Sequence, residues 1–242
     1  MSAETTKQRP DENRLLAALP APEAERLRPR LERVSLGLAE PLYEAGARIE
    51  RVYFPLGGMF SLLITMADGS AVEVGTVGNE GLIGLPVFLG SERSPTAVIC
   101  QVPGEACRMA AEAFREEVGR GGALAGLILH YTQAVLNQIS QSVACNLLHS
   151  VEQRLGRWLL MSHDRAGADE FPMTHQFLAE MLGVRRPSVS VTAAKLQEAG
   201  LIGYHRGRIA VLDREGLEAA SCECYRVVRD EFDRLRGGGP DV

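Results

Sequence analysis

Between Met173 and Leu212 the chain places Arg185, Arg186, Lys195, Arg206 and Arg208 against only two carboxylates, Glu180 and Glu198, a local net charge of +3 in a protein of −5 overall. Guanidinium groups gathered in this way neutralise phosphates and, at the start of a helix, reach guanine edges bidentately. The short residues beside them suit contact with base edges: Ser188 and Ser190 as donors, Val191 as a methyl surface for thymine. Thr174, His175, Arg206 and Arg208 are placed for the sugar-phosphate backbone, where contacts position a protein without specifying sequence.

Those side chains need a scaffold, and the local pattern supplies one. Thr174 caps a predicted helix over 176–182 whose apolar face is Phe177, Leu178, Met181 and Leu182, and Gly183 stops it. Val184 is the inward-packing turn residue, and Pro187 sits in the first turn of a second helix, where a missing N–H costs nothing. Val189, Ala193 and Leu196 recur at i, i+4 and i+7, so that helix buries one face before Gly200 ends it. Residues 201–204 and 209–212 flank a basic turn, His205 to Arg208, as a two-stranded wing. Helix, short Gly turn, helix and wing is the arrangement that offers a second helix to the major groove.

Upstream, the character of the chain differs. With 242 residues, 45% hydrophobic and 24% charged, it can build a buried core and is not a disordered chain. Short helical patterns over 14–19 and 22–34 precede a Gly- and Pro-punctuated stretch from Leu36 to Met109 with β-type alternation. Phe60, Leu62, Ile64 and Met66 are expected on one strand face, Asp68-Gly69 at a hairpin turn, and Pro103-Gly104 between two later strands. The expected fold class is α+β: an N-terminal antiparallel β-roll, a long helix, and a C-terminal winged helix-turn-helix. The expected domains are a flexible tail over 1–12, a roll over 13–120, the long helix over 121–149 and the winged unit over 150–242.

The long helix falls in a segment from Gly121 to Val151 free of Asp, Glu, Lys and Arg. His130, Gln133, Asn137, Gln138, Gln141 and Asn146 interrupt it too often for a membrane span. At about 100° per residue it carries two apolar stripes, Leu124, Ile128, Tyr131 and Val135, and Leu129, Leu136, Ile139 and Val143. One stripe docks the helix on its own domain and the other meets a second copy. The expected dimer contacts are Leu124, Ile128, Tyr131, Val135, Gln138 and Ser142. Ser150 and Gln153 form a capping box that starts a new helix after a hinge near His149.

Catalytic chemistry finds little support. There is no Gly-x-Ser-x-Gly, HExxH or Walker pattern, and His163, Asp164, Asp169 and Glu170 read as a solvated linker, so no enzyme activity is expected. Cys100, Cys107, Cys145, Cys222 and Cys224 have no disulfide-framework spacing, and Met1 to Arg14 shows no apolar leader, so a cytoplasmic protein is expected. Cys222 and Cys224 on one helix would point about 200° apart, so they are read as buried free thiols and neither a metal site nor a cofactor is expected.

The order of these elements, and above all the run MTHQFLAEMLGVRRPSVSVTAAKLQEAGLIGYHRGRIAVL, resembles the Crp/Fnr family of bacterial transcription regulators over nearly the whole chain. The run DREGLEAASCECY looks like a C-terminal extension helix of one branch of that family. The resemblance implies a cyclic-nucleotide-binding-like roll and a homodimer on a two-fold-related operator in double-stranded DNA, with RNA polymerase as a further partner. It also implies a small-molecule effector held near Gly84, Leu85, Arg93, Ser94 and Ser140. Members that bind cyclic AMP use a Gly-Glu pair followed by an Arg-Ser pair; here Arg93-Ser94 is present, but Gly84 is followed by Leu85, which cannot hold a ribose hydroxyl. A degenerate or non-cAMP sensor is therefore expected, with a nucleotide held by Arg93 and Ser94 as the alternative. The cysteine cluster of the oxygen-sensing members is absent, since no cysteine precedes Cys100.

Overall fold

The computed structural model describes residues 12–235; the tail expected over 1–12 lies outside the described residues except for Glu12. Two short helices, α1 (Arg14–Ala17) and α2 (Ala21–Leu27), lead into the roll. Asn13 starts α1 by accepting from the backbone of Leu15 and Leu16, while its amide donates to the carbonyls of Pro55 and Gly81, which fixes the entry helix to the roll.

The roll consists of β1 (Glu32–Leu36), β2 (Pro41–Tyr43), β3 (Arg51–Pro55), β4 (Met59–Thr65), β5 (Ala71–Val77), the short helix α3 (Leu85–Phe88), β6 (Ala97–Val102) and β7 (Gly104–Ala110). They form two antiparallel sheets, ordered β1-β7-β3 and β2-β6-β4-β5. The alternation expected through β4 does not hold. A bulge between Leu62 and Leu63 shifts the register against β5, so Phe60 and Leu63 are buried while Ile64 and Met66 lie exposed. One extra residue exchanges the two faces of a strand, and simple period-two counting cannot anticipate it.

Helix α4 (Ala111–Gly119) closes the roll, and α5 (Ala123–Leu148) follows as the long helix. Its start is capped from a distance: the Glu23 carboxylate accepts from the backbone N–H groups of Ala123 and Leu124. These bonds, set against slight desolvation, keep Glu23 below the usual carboxylate range. Leu124, Ile128, Tyr131, Ala134 and Val135 join the roll's core with Phe54, Phe60 and Phe114. No helix among the described residues is long and apolar enough to cross a membrane.

The C-terminal unit begins after His149, where the backbone turns extended, and the Ser150–Gln153 capping box opens α6 (Val151–Ala166). It continues with β8 (Glu170–Pro172), α7 (His175–Leu182), α8 (Arg186–Glu198), β9 (Ile202–His205), β10 (Arg208–Val211), α9 (Arg214–Ala220) and α10 (Cys224–Arg234). The wing has three strands, ordered β8-β10-β9, because residues 170–172, which begin within the expected linker, pair with β10. The extension expected as one helix is two, α9 and α10, broken at residues 221–223.

This unit shares apolar contacts with the roll: Met59, Leu63 and Val102 pack in one cluster with Leu155, Trp158 and Leu178. Two polar links reinforce the junction, and a third ties α5 to the roll. Trp158 Nε1 donates to Glu73 Oε1 at 3.0 Å, Arg165 Nη2 lies 2.6 Å from Glu80 Oε1, and Gln138 Nε2 donates to the Thr76 carbonyl at 3.1 Å. Burial alone would raise the Glu80 carboxyl, but the Arg165 guanidinium holds it below its ordinary range. Burial does win at Glu73, where it pushes the carboxyl up to about 7 against the hydrogen bonds from Ser61 and Trp158.

Candidate nucleic-acid interface and effector cavity

The helix-turn-helix is built from local signals. Thr174 accepts from the backbone of Phe177 at 3.1 Å to start α7, and Gly183 ends it at φ 61, a left-handed conformation that suits glycine. Arg185 is the extended residue before α8, and Pro187 lies in the first turn. Val189, Ala193 and Leu196 are buried beneath α8. The opposite face presents Arg185, Arg186, Ser188, Val191 and Lys195 to solvent, with Val191 60% exposed although apolar. An exposed cationic helix start beside a bare methyl surface can contact phosphate and base edges together.

The remaining expected contacts are more constrained. His175 stacks on Tyr204 with ring centroids 4.1 Å apart, and its Nδ1 lies 3.0 Å from the Ser190 hydroxyl. Burial, then the nearby Arg186 charge, lowers the His175 pKa. Ser190 thus supports the helix pair, and Tyr204, which sequence reasoning missed, braces His175 from the wing. Arg206 forms the exposed tip of the wing at φ 47, followed by Gly207 at φ 77. Such successive left-handed residues make a tight hairpin turn. Arg208 is ion-paired with Glu170 across the wing, and Lys195 Nζ lies 3.8 Å from Glu152.

In the roll, a cavity of about 220 Å³ opens between β4, β5, α3 and α5. Tyr43, Leu62, Val77, Leu85, Val135 and Ile139 are among its lining residues, with Gly84, Ser94 and Thr132, and no charged side chain lines it. Two expected effector residues lie elsewhere. Arg93 is exposed, and its guanidinium donates to the Gly46 carbonyl at 2.7 Å, so it is not held toward an anion in the cavity. Ser140 is exposed on α5 and is not part of the lining, because the helix turns Val135 and Ile139 to the cavity instead. Ser94 does line it, but its hydroxyl already donates to the Thr96 carbonyl.

The glycine loop from Gly78 to Gly84 is filled by protein. A Cβ on Gly81 would lie 2.5 Å from the Tyr131 hydroxyl, and one on Gly78 2.5 Å from the Arg165 side chain. These two glycines make room for Tyr131, which donates to the Leu82 carbonyl, and for the Glu80–Arg165 pair. The cavity lining does not fit a cyclic nucleotide: among the described residues no guanidinium and no carboxylate lines it, and the nearby Glu80 and Arg165 are bonded to each other.

The expected dimer contacts also need correction. Leu124, Ile128, Tyr131, Val135 and Gln138 are buried against the chain's own roll, and Ser142 is bonded to Gln138 and Arg157. The helix presents its other stripe outward, with Leu129 59%, Leu136 56% and Val143 57% exposed. Their seven-residue spacing was visible in the sequence, but periodicity shows only that two stripes exist, not which one the roll covers.

Comparison with known proteins agrees with this architecture. Residues 33–120 match the cyclic nucleotide-binding domain family and residues 153–220 the Crp-like helix-turn-helix domain family, together well over half the chain. FixK2 from Bradyrhizobium japonicum is similar in fold, with TM-score 0.67 and 17% identity over 79% of this chain and 98% of its own. A putative transcriptional regulator of the Crp/Fnr family from Eubacterium rectale gives TM-score 0.64 and 16% identity over 85% of this chain and 96% of its own. The c-di-GMP responsive global regulator CLP from Xanthomonas campestris gives 0.63 and 17% over 79% and 99%. No curated protein matches the chain significantly.

Proposed function

The chain belongs to the Crp/Fnr family of transcription regulators, and on that premise we propose that it is a sequence-specific regulator, not an enzyme, which reads a two-fold-related site in double-stranded DNA as a homodimer. The observation that carries this reading is the exposed start of α8, where Arg185, Arg186, Ser188 and Val191 stand out from a helix anchored by Val189, Ala193 and Leu196. Arg186 is assigned to base readout, and Arg206 at the wing tip to phosphate. The dimer seam is the stripe of Leu129, Leu136 and Val143, whose regular heptad spacing suits a parallel helix pair. Bound at a promoter, such a dimer stands where RNA polymerase assembles.

The roll's cavity takes an apolar effector in this reading. Its charge-free lining supports that class over cyclic AMP, and equally over the cyclic dinucleotide named for the Xanthomonas protein.

The test is fluorescence anisotropy with an operator selected from random duplexes. Arg186→Ala is expected to lower specific affinity by about 1–3 kcal/mol and relax specificity at one position of each half-site, with the oligomeric state unchanged. Unaltered affinity and specificity would remove Arg186 from base readout.

A further inference from the structure

Beyond the nucleic-acid interface and the cavity, the described residues bring four soft-metal donors to one point. Cys145 and His149 lie one turn apart at the end of α5, and Cys222 and Cys224 lie at the break between α9 and α10. The Cys145 and Cys222 sulfurs are 3.5 Å apart, Cys224 Sγ is 3.5 Å from His149 Nδ1, and all four donor atoms fall within 4.8 Å of one another. We propose that Cys145, His149, Cys222 and Cys224 form a mononuclear, tetrahedral site for a zinc-class divalent ion.

The spacing suits such an ion. Metal–sulfur and metal–nitrogen bonds of about 2.3 and 2.0 Å in tetrahedral geometry put the ligand atoms roughly 3.5–3.8 Å apart, so only small movements separate these donors from a closed shell. The three thiols are buried in a small cluster of their own, and the His149 side chain is 17% exposed.

The donors also have outer partners. His149 turns Nδ1 to the thiols while its Nε2 lies 3.4 Å from the Glu223 carboxylate, the carboxylate–histidine arrangement that orients a metal-bound imidazole. Gln141 Nε2 donates to Cys224 Sγ at 3.0 Å, a bond that favours a thiolate. Three thiolates on a divalent ion leave one negative charge. Arg157 of α6 is buried beside Cys145, bonded to Ser142 and with its Nε unpartnered, and it can balance that charge. The Cys145 and Cys222 sulfurs already share a hydrogen bond in which either can be the donor, so both are turned toward the same point.

Sequence reasoning dismissed the C-x-C pair because it put both cysteines on one helix. Ser221 is extended, Cys222 precedes α10, and Cys224 is its first residue, so the two side chains converge. Gly156 permits this turn to lie against α6, since a Cβ there would come within 3.3 Å of the Ser221 Cα.

Binding involves no redox step: each thiol that ligates the ion gives its proton to solvent, and His149 ligates as the neutral imidazole. The ion would join the end of α5, including the hinge residue His149 itself, to the turn between α9 and α10.

The experiment is a Co2+ titration of the full-length protein, reduced and metal-stripped, read by visible absorption, with metal content measured after dialysis. One Co2+ per chain is expected, with thiolate charge-transfer and tetrahedral ligand-field bands that Zn2+ abolishes on displacement. Cys222→Ser should lose the bands while Cys107→Ser keeps them. Glu223→Gln, a change at an exposed side chain, should retain the bands with affinity lower by on the order of tenfold. Absence of stoichiometric cobalt from wild-type protein whose five thiols all titrate as free would overturn the proposal, as would bands that persist in Cys222→Ser.

Discussion

Leu129 and Ile128 are adjacent on α5 and should fail in different ways when truncated. Leu129 is 59% exposed, so covering it in a helix pair would bury about three-fifths of a side chain whose full burial is worth about 1.5–3 kcal/mol. That is roughly 1–1.8 kcal/mol per copy. A two-fold seam uses the residue twice, so Leu129→Ala should weaken the dimer by about 2–3.6 kcal/mol, raising its Kd roughly 30- to 400-fold. Ile128 is 0% exposed within its own chain. Ile128→Ala should instead cost about 2–5 kcal/mol of folding stability through the cavity it leaves, with little direct effect on association. Sedimentation equilibrium gives the first quantity, and urea unfolding at fixed protomer concentration the second. A Leu129→Ala dimer as tight as the wild type, together with a folded Ile128→Ala protein that dissociates, would show that the seam has been placed on the wrong face.

Further predictions concern the junction and the cavity. Because Glu73 rises from 4.5 to about 7 in the folded chain, the native state holds more protons than the unfolded one across that window, and the stability contributed there falls as pH rises through it. Glu73→Gln should therefore gain urea resistance relative to wild type on going from pH 5 to pH 8; parallel pH profiles for the two proteins would contradict the assignment. Isothermal calorimetry with cyclic AMP should give no binding heat, and a saturable micromolar isotherm would refute the argument from Leu85 and the outward Arg93. A medium-chain fatty alcohol, used as an apolar probe, should bind the roll and be blocked by filling the cavity with Val135→Phe; unchanged binding in that variant would place the probe elsewhere.

Much of the C-terminal unit was readable because its signals are local. Thr174, Gly183 and Pro187 act within a few residues of where they stand, and the burial of Val189, Ala193 and Leu196 follows from helical spacing alone. The errors fell where distant packing decides. Both stripes of α5 are apolar, and only the roll's shape determines that Ile128 faces inward and Leu129 outward. The bulge at Leu62–Leu63 and the turn at Ser221 depend on contacts with other strands and with Gly156. Arg93 occupies the expected position along the chain, but its side chain is bonded to Gly46, and no count of residues could show that.

The loop from Gly78 to Gly84 has two faces. Leu82, Ile83 and Gly84 border the cavity, while Glu80, a few residues earlier, is locked to Arg165 at the far end of α6. Displacing that backbone would strain a sequestered ion pair, whose rupture costs several kcal/mol. The rim of the cavity is thereby tied, through Glu80 and Arg165, to the helix that leads into the helix-turn-helix.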